Sequence, residues 1–179
     1  MTNQNIKRIG FACKFSELNT KGEVVSIPEL NTGGTTLTWA KRQTRSVAEQ
    51  KVMEVAIRNI THTHNLVKKV SSLDPELRMV RLTSDMLSFY THEDWTDFWR
   101  DSDNQNILAK LFAPIGETAR QNDVRLSFHP DQFVVLASDR DEVVNKSIEE
   151  FEYHCDMVRM MGYGKSFQDF KVNVHISGR

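Results

Sequence analysis

Val124-Arg125-Leu126-Ser127-Phe128-His129-Pro130 is the stretch on which the fold turns, because it reads as a short strand that ends on a histidine and is closed by a proline. Three other segments read as strands: Ile6 to Cys13 (IKRIGFAC), Arg78 to Thr83 (RMVRLT) and Lys171 to Ser177 (KVNVHIS). Helices separate them. Ser46 opens the first, in which Val52, Val55, Ile60, Leu66 and Val70 recur near helical spacing until Pro75 enforces a break. A second is expected from about Gln105 to Gln121, with Pro114 imposing a kink or a late start. The clearest runs from Asp139 to Gly162, with Val144, Ile148, Phe151, Cys155 and Val158 on one stripe and Gly162 placed to end it. Strands alternating with helices give an α/β chain with a parallel sheet and crossovers on one side, either doubly wound or a barrel.

Composition narrows the class. With 39% hydrophobic and 26% charged residues over 179 positions, the chain has the balance of one globular domain. No apolar run is long enough to span a bilayer, and Met1 to Arg8 lacks the apolar stretch of a signal peptide, so a cytoplasmic protein with no membrane partner is expected. Cys13 and Cys155 form no CxxC pair and read as buried thiols. Gly162 to Ser166 lacks the spacing of a phosphate-binding loop. A net charge of -1 excludes an indiscriminate nucleic-acid binder, so any DNA-binding surface must be local. The densest candidate is Thr38 to Arg45, where Lys41, Arg42 and Arg45 flank Trp39, an indole able to stack or wedge against bases. A solvated loop with a partly buried tryptophan accounts for the same residues equally well.

The chemistry concentrates at one edge. His92 follows the second strand, His129 closes the third and His175 stands near the end of the fourth. Barrel enzymes hold their sites at this C-terminal edge, where neighbouring strand ends bring side chains within reach of a shared metal ion. Imidazole suits zinc, manganese or iron, and a metal-bound water serves as a nucleophile near neutral pH. One strand-end histidine says little; three on consecutive strands point to metal-assisted hydrolysis. His62, His64 and His154 lie within helices, where packing or solvent is the default. Asp85 reads as a metal ligand, a group orienting a histidine or a helix cap, the last two being the safer.

Arg125 to Phe133 (RLSFHPDQF), then Asn145-Lys146-Ser147-Ile148, Tyr153-His154, Met161-Gly162 and Val174 to Gly178 (VHISG), closely resemble the UV damage endonuclease family in type and order. Upstream, Arg81 to Asp85 (RLTSD), Phe89 to His92 (FYTH) and Ile9 to Cys13 (IGFAC) resemble its earlier segments. The resemblance implies a TIM barrel holding two or three divalent ions, typically manganese, that cuts ultraviolet-damaged double-stranded DNA on the 5' side of photoproducts. His92, His129 and His175 then map onto metal ligands and catalytic positions. Gln132 and Phe133 resemble the family's Gln-Tyr pair that enters the duplex opposite the lesion, whereas the residues alone favour Phe133 as core after a turn. Phe11 and Phe15 fall where relatives carry a tyrosine and an asparagine, which removes a hydroxyl and an amide from the implied lesion pocket.

A complete barrel needs eight strands and about 250 residues. The four strands here are expected to form its N-terminal half, a partial TIM-like (β/α) barrel over residues 1–179. Relatives draw further ligands, mainly carboxylates and histidines, from later strands. The expected partners are therefore damaged DNA and either a second chain or a second copy completing the barrel. A non-catalytic DNA-binding or metal-binding half-barrel is the alternative. A sugar isomerase or abasic-site nuclease on the same architecture fits the fold alone, but the His129 to Phe133 turn argues against it.

Overall fold

The computed structural model describes residues 8–166 and 169–175. Strands β1 (Phe11–Ala12), β4 (Met79–Arg81), β5 (Arg125–Phe128) and β6 (Lys171–Val172) form one parallel sheet in the order β1-β4-β5-β6. Helix α2 (Arg45–Ser71) joins β1 to β4, α4 (Ser102–Gln121) joins β4 to β5, and α5 (Asp141–Met160) joins β5 to β6. Each new strand is laid beside the last with no reversal of direction, so the sheet has no switch point of the doubly wound kind. Helix α2 packs on α4, and α4 on α5, along one face of the sheet. That is the wall of a TIM-like barrel, as the sequence led one to expect.

The register sorts the strand residues onto two faces. Val80 stands beside Leu126, and Phe128 beside Val172; Val80, Leu126 and Phe128 are buried. They pack with Val52, Ala56, Ile60 and Val67 of α2 and with Leu108, Phe112 and Ile115 of α4 in a single core. Each large apolar side chain buried in this way contributes roughly 1.5 to 3 kcal/mol. The alternate residues Met79, Arg81, Arg125, Ser127 and Lys171 lie on the other face, and none of them is buried.

Local signals set the helix ends. Thr44 caps α2, its side chain accepting from the Val47 amide, and Asp101 caps α4 by accepting from the amides of Asp103 and Asn104. Gly162 (φ +80°) ends α5, with the Tyr163 amide donating back to the Val158 carbonyl. Pro114 lies inside α4 without ending it. Phe112, Ile115 and Gly116 are packed in the core around it, and Lys110, four residues earlier, is on an exposed part of the helix where solvent can serve the carbonyl that the proline leaves unpaired.

Several expectations are corrected. The fourth strand ends at Val172, with His175 joined to Val135 only through an isolated bridge, and Ile176 and Ser177 lie outside the described residues. Ile6 and Lys7 also lie outside them, and β1 is short. The turn-rich stretch after β1 holds a hairpin of β2 (Ser16–Leu18) and β3 (Val24–Ser26) and a short helix α1 (Leu37–Ala40). Asn31 fixes the hairpin by exchanging two hydrogen bonds with the Phe15 backbone. Another short helix, α3 (Thr96–Arg100), precedes α4. Cys13 and Cys155 are half-buried rather than buried. Among the described residues no helix is long and apolar enough to cross a membrane.

Gly116 is the tightest joint in this packing, because a Cβ there would lie 1.8 Å from the Met161 carbonyl oxygen at the end of α5. Gly116→Ala is expected to cost about 3 kcal/mol in denaturant unfolding. Gly34→Ala, whose new Cβ would be 3.9 Å from its nearest neighbour, should stay within about 0.5 kcal/mol of the parent.

Candidate functional site

His129 follows β5 directly, and two-residue alternation puts it on the same face as Ser127 and Arg81. Arg81 Nη1 donates to His129 Nδ1 at 2.9 Å. Since a guanidinium can only donate, Nδ1 is the accepting nitrogen and a neutral ring carries its proton on Nε2. Burial, and then the neighbouring His175 and Arg81, hold the His129 pKa below the ordinary histidine value. The His175 ring stacks on it with centroids 4.5 Å apart and planes 25° from parallel. Arg81 also reaches Cys13 Sγ at 3.8 Å, while its Nε is buried without a hydrogen-bond partner.

The third expected ligand goes elsewhere. His92 Nδ1 accepts from the Asp94 amide at 3.1 Å and caps the turn at Glu93–Trp95, with Asp94 Oδ2 3.8 Å away. A histidine two residues ahead of an aspartate can serve its own backbone, and that local bond holds it. Among the described residues no three histidine, cysteine, aspartate or glutamate side chains come together to hold a metal ion. His129 and His175 stack, with Arg81 on one ring nitrogen of His129. Ligation through His129 Nε2 would require the proton on Nδ1, and Arg81 would have to withdraw.

Beneath this pair lies a polar anchor built from residues that sequence reasoning set aside. His154 is fully buried; its Nδ1 lies 2.6 Å from the Glu150 carbonyl and its Nε2 2.9 Å from Ser84 Oγ. Ser84 Oγ is also 3.2 Å from the carbonyl of His129. Tyr153 donates to the Ser84 carbonyl at 2.7 Å and accepts from the Leu87 amide at 3.1 Å. Helix α5 thus ties the loop after β4 to the end of β5. Asn59, buried in α2, secures the same loop by donating to the Asp85 and Met86 carbonyls and holds Gly33 through both its amide and its carbonyl. Asp85 enters through its backbone, not as a cap. Only the chain order of Tyr153-His154 hinted at this arrangement. His62 and His64 bond the Asn31 carbonyl and Thr118 Oγ1, as packing residues do.

The turn after His129 has its own logic. Asp131 Oδ1 accepts from the Phe133 amide at 3.0 Å and its carbonyl from the Val134 amide at 2.9 Å, forming a tight aspartate turn. Ser147 of α5 bonds both the amide and the carbonyl of Val135 and pins the far side. Val134 is thereby buried and Phe133 is left 77% exposed, beside an exposed Gln132. Phe133 is not core, contrary to the reading from residue type alone.

Phe11 and Trp39 are half-buried against the core, and Phe11 meets Phe15 edge-on at 5.4 Å. Lys41 and Arg42 are exposed. Arg45 is engaged structurally, over the Trp95 ring at 4.5 Å and bonded to Glu49 and Asp97. Lys41, Arg45, Asp94 and Trp95 line a cavity of about 380 Å³.

The anchor carries two expectations. Ser84→Ala should cost about 1 to 3 kcal/mol by stranding His154 Nε2 and removing the bond to the His129 carbonyl, while the Tyr153 bond to the Ser84 backbone persists. The pKa of His154 is lowered, mainly by burial, so below the ordinary value of 6.5 the unfolded chain takes up a proton that the folded chain resists. Stability should therefore fall as pH drops through that value. His64 and His129 are shifted in the same direction and add to the slope. Denaturant titrations at a series of pH values should show a shallower slope in His154→Gln.

The family described as UV-endonuclease UvdE matches residues 7–179. The "UV DNA damage endonuclease" of Bacillus mycoides (strain KBAB4) is 28% identical over 143 residues, covering 80% of this chain and 42% of the relative. That of Bacillus cereus (strain B4264) is 26% identical over the same shares. A solved structure titled "Crystal Structure of SacUVDE" superposes with a TM-score of 0.67 at 25% identity, over 92% of this chain and 47% of the other. The chain spans less than half the length of these relatives.

Proposed function

The chain belongs to the UV-endonuclease UvdE family, and from that membership we propose that it serves as the lesion-engaging part of a DNA repair endonuclease that incises ultraviolet-damaged duplexes on the 5' side of the photoproduct. The observation that carries this reading is Phe133, a large aromatic ring 77% exposed on a turn fixed from both sides, next to the histidine pair. An exposed aromatic ring on a rigid turn suits insertion between base steps. A photoproduct is already poorly stacked, so displacing it costs less than displacing an intact dinucleotide. Gln132, exposed beside the ring, supplies an amide for the bases left behind. Lys41 and Arg42 are exposed cations available to phosphates.

Incision at this edge is proposed to depend on divalent ions, manganese first among them, with His129 and His175 among the donors. The further oxygen and nitrogen ligands would come from the strands that complete the barrel, on a second chain or on a C-terminal half. With two such histidines gathered among the described residues, a DNA-binding module without nuclease activity of its own is the second reading.

Nicking of irradiated against unirradiated plasmid, with manganese and at fixed salt, decides between them. Damage-dependent nicking that falls at least about tenfold in both His129→Ala and Phe133→Ala supports the endonuclease. Damage-selective binding without nicking, lost in Phe133→Ala alone, supports the binding module. For the basic segment, the double variant Lys41→Ala/Arg42→Ala should weaken binding to damaged and undamaged duplex alike. It should also flatten the logarithmic salt dependence by about 0.9 per phosphate contact removed.

A further inference from the structure

Nothing inside the fold requires glycine at positions 33 and 34. Neither residue has a positive φ, and an added Cβ would meet Arg58 Nη2 at 3.4 Å on Gly33 and Ser88 Oγ at 3.9 Å on Gly34. Glycine costs backbone entropy, and where no turn demands it the remaining physical use is to let another group approach the main chain closely. Both residues are exposed, and the space their missing side chains leave is bounded by a guanidinium on one side and a hydroxyl on the other. The donors around that space are unspent. Among the described residues the Gly34 amide bonds to nothing, whereas the Gly33 amide donates to Asn59 Oδ1 at 3.1 Å and the Thr35 amide to Ser88 Oγ at 3.5 Å. Arg58 is exposed and forms no ion pair among the described residues. It makes its hydrogen bonds through Nη2, to the Gly33 carbonyl at 3.0 Å and to Asn59 Oδ1 at 3.4 Å, which leaves Nε and Nη1 open. Asn59 fixes the place of this loop: its amide donates to the Gly33 carbonyl at 2.9 Å and to the Asp85 and Met86 carbonyls in the loop after β4. Ser84 of that same loop bonds the His129 carbonyl at 3.2 Å. The glycine pair is therefore tied to the C-terminal edge of the sheet, where the histidine pair and Phe133 stand.

We infer that Gly33, Gly34 and Arg58 seat one phosphodiester group of the DNA backbone; the inference rests on the reading that this edge binds duplex DNA, and it names a contact of that site. The phosphate oxygens only accept, and the loop offers them donors: the Gly34 amide, the open nitrogens of Arg58 and the Ser88 hydroxyl, whose oxygen already accepts from Thr35. A carboxylate on a protein partner would also suit the guanidinium, but it comes at the end of a slender side chain and needs no bare main chain beneath it. A nucleic-acid backbone brings a bulky tetrahedral group and its sugars against the surface, and two adjacent glycines give it room. Asp85 on the neighbouring loop is exposed and forms no ion pair with Arg58, so it does not occupy the place of the phosphate. Contacts of this kind set position and carry no sequence information. The loop would hold the duplex in a fixed place while Phe133 tests its stacking.

The test uses the full chain and two fluorescent duplexes, one carrying a thymine photoproduct and its undamaged twin, read by anisotropy over a salt series. Arg58→Gln should weaken binding to both about fivefold and flatten the logarithmic salt dependence by about 0.9, the share of one phosphate. Gly34→Ala should weaken both about threefold while its denaturant midpoint stays at the parent's, and neither variant should change the preference for the damaged duplex. Replacing single phosphates by uncharged methylphosphonates should reveal a position that costs the parent about fivefold and Arg58→Gln almost nothing, because the two changes remove the same contact. Inorganic phosphate should displace the duplex no better than chloride at equal ionic strength. Both variants binding as the parent does, or a methylphosphonate scan in which parent and Arg58→Gln never differ, overturns the inference. The Phe133 reading then stands or falls separately, by whether Phe133→Ala loses the preference for damage. Displacement by inorganic phosphate well beyond that by chloride assigns the loop to free phosphate and overturns the inference too. A parent chain that binds neither duplex overturns it together with the reading beneath it.

Discussion

The in-register pairing of Val80 with Leu126, and of Phe128 with Val172, is the constraint on which the rest depends. Side chains alternate along a strand, so burying these residues beneath α2 and α4 commits Arg81, Ser127 and His129 to the opposite face. A slip of one residue would carry Arg81 into the core and Val80 out of it. The hydrophobic register that stabilises the domain therefore also puts its chemistry at one open edge, and no separate device is needed to aim His129.

Aiming is not holding, and the holding is done by polar contacts of α5. Tyr153 and His154 bond Ser84 from below, Ser147 bonds Val135, and the two strand-end loops become parts of one body. These groups are buried, so each unmade bond would carry a full desolvation penalty, and the network tolerates few alternatives. That stiffness explains how a turn can keep Phe133 in water while Val134 beside it is packed. The opposite sheet face, with Arg81, Ser127 and Arg125, is by contrast partly solvated.

Much of this was legible in the sequence. Helix spacing from Val52 to Val70 and from Val144 to Val158 located α2 and α5 closely, because apolar periodicity records burial against the sheet. The strand ending in His129 was equally plain. The hairpin of β2 and β3 was not, since its strands are short and wholly exposed and leave no alternation to read. The bond of His92 was not legible, since strand-end position says nothing about the Asp94 amide two residues on, which donates to its Nδ1. His154 was read as a packing or solvent-facing helix residue, and it packs; its partner, Ser84, is distant in sequence, and only the folded chain brings them together. Phe133 shows the reverse: residue type pointed to the core, while the resemblance in motif order pointed outward, and the Asp131 turn explains why the outward position holds.

We propose that the turn after β5 holds Phe133 ready to enter a damaged duplex. It is tested most directly by placing 2-aminopurine in the strand opposite a thymine photoproduct and following its fluorescence as the chain is added. Insertion unstacks the probe, so fluorescence should rise with the damaged duplex, stay flat with its undamaged twin, and stay flat with Phe133→Gly on either. An equal rise on damaged and undamaged DNA, or a rise that persists in Phe133→Gly, would contradict the account.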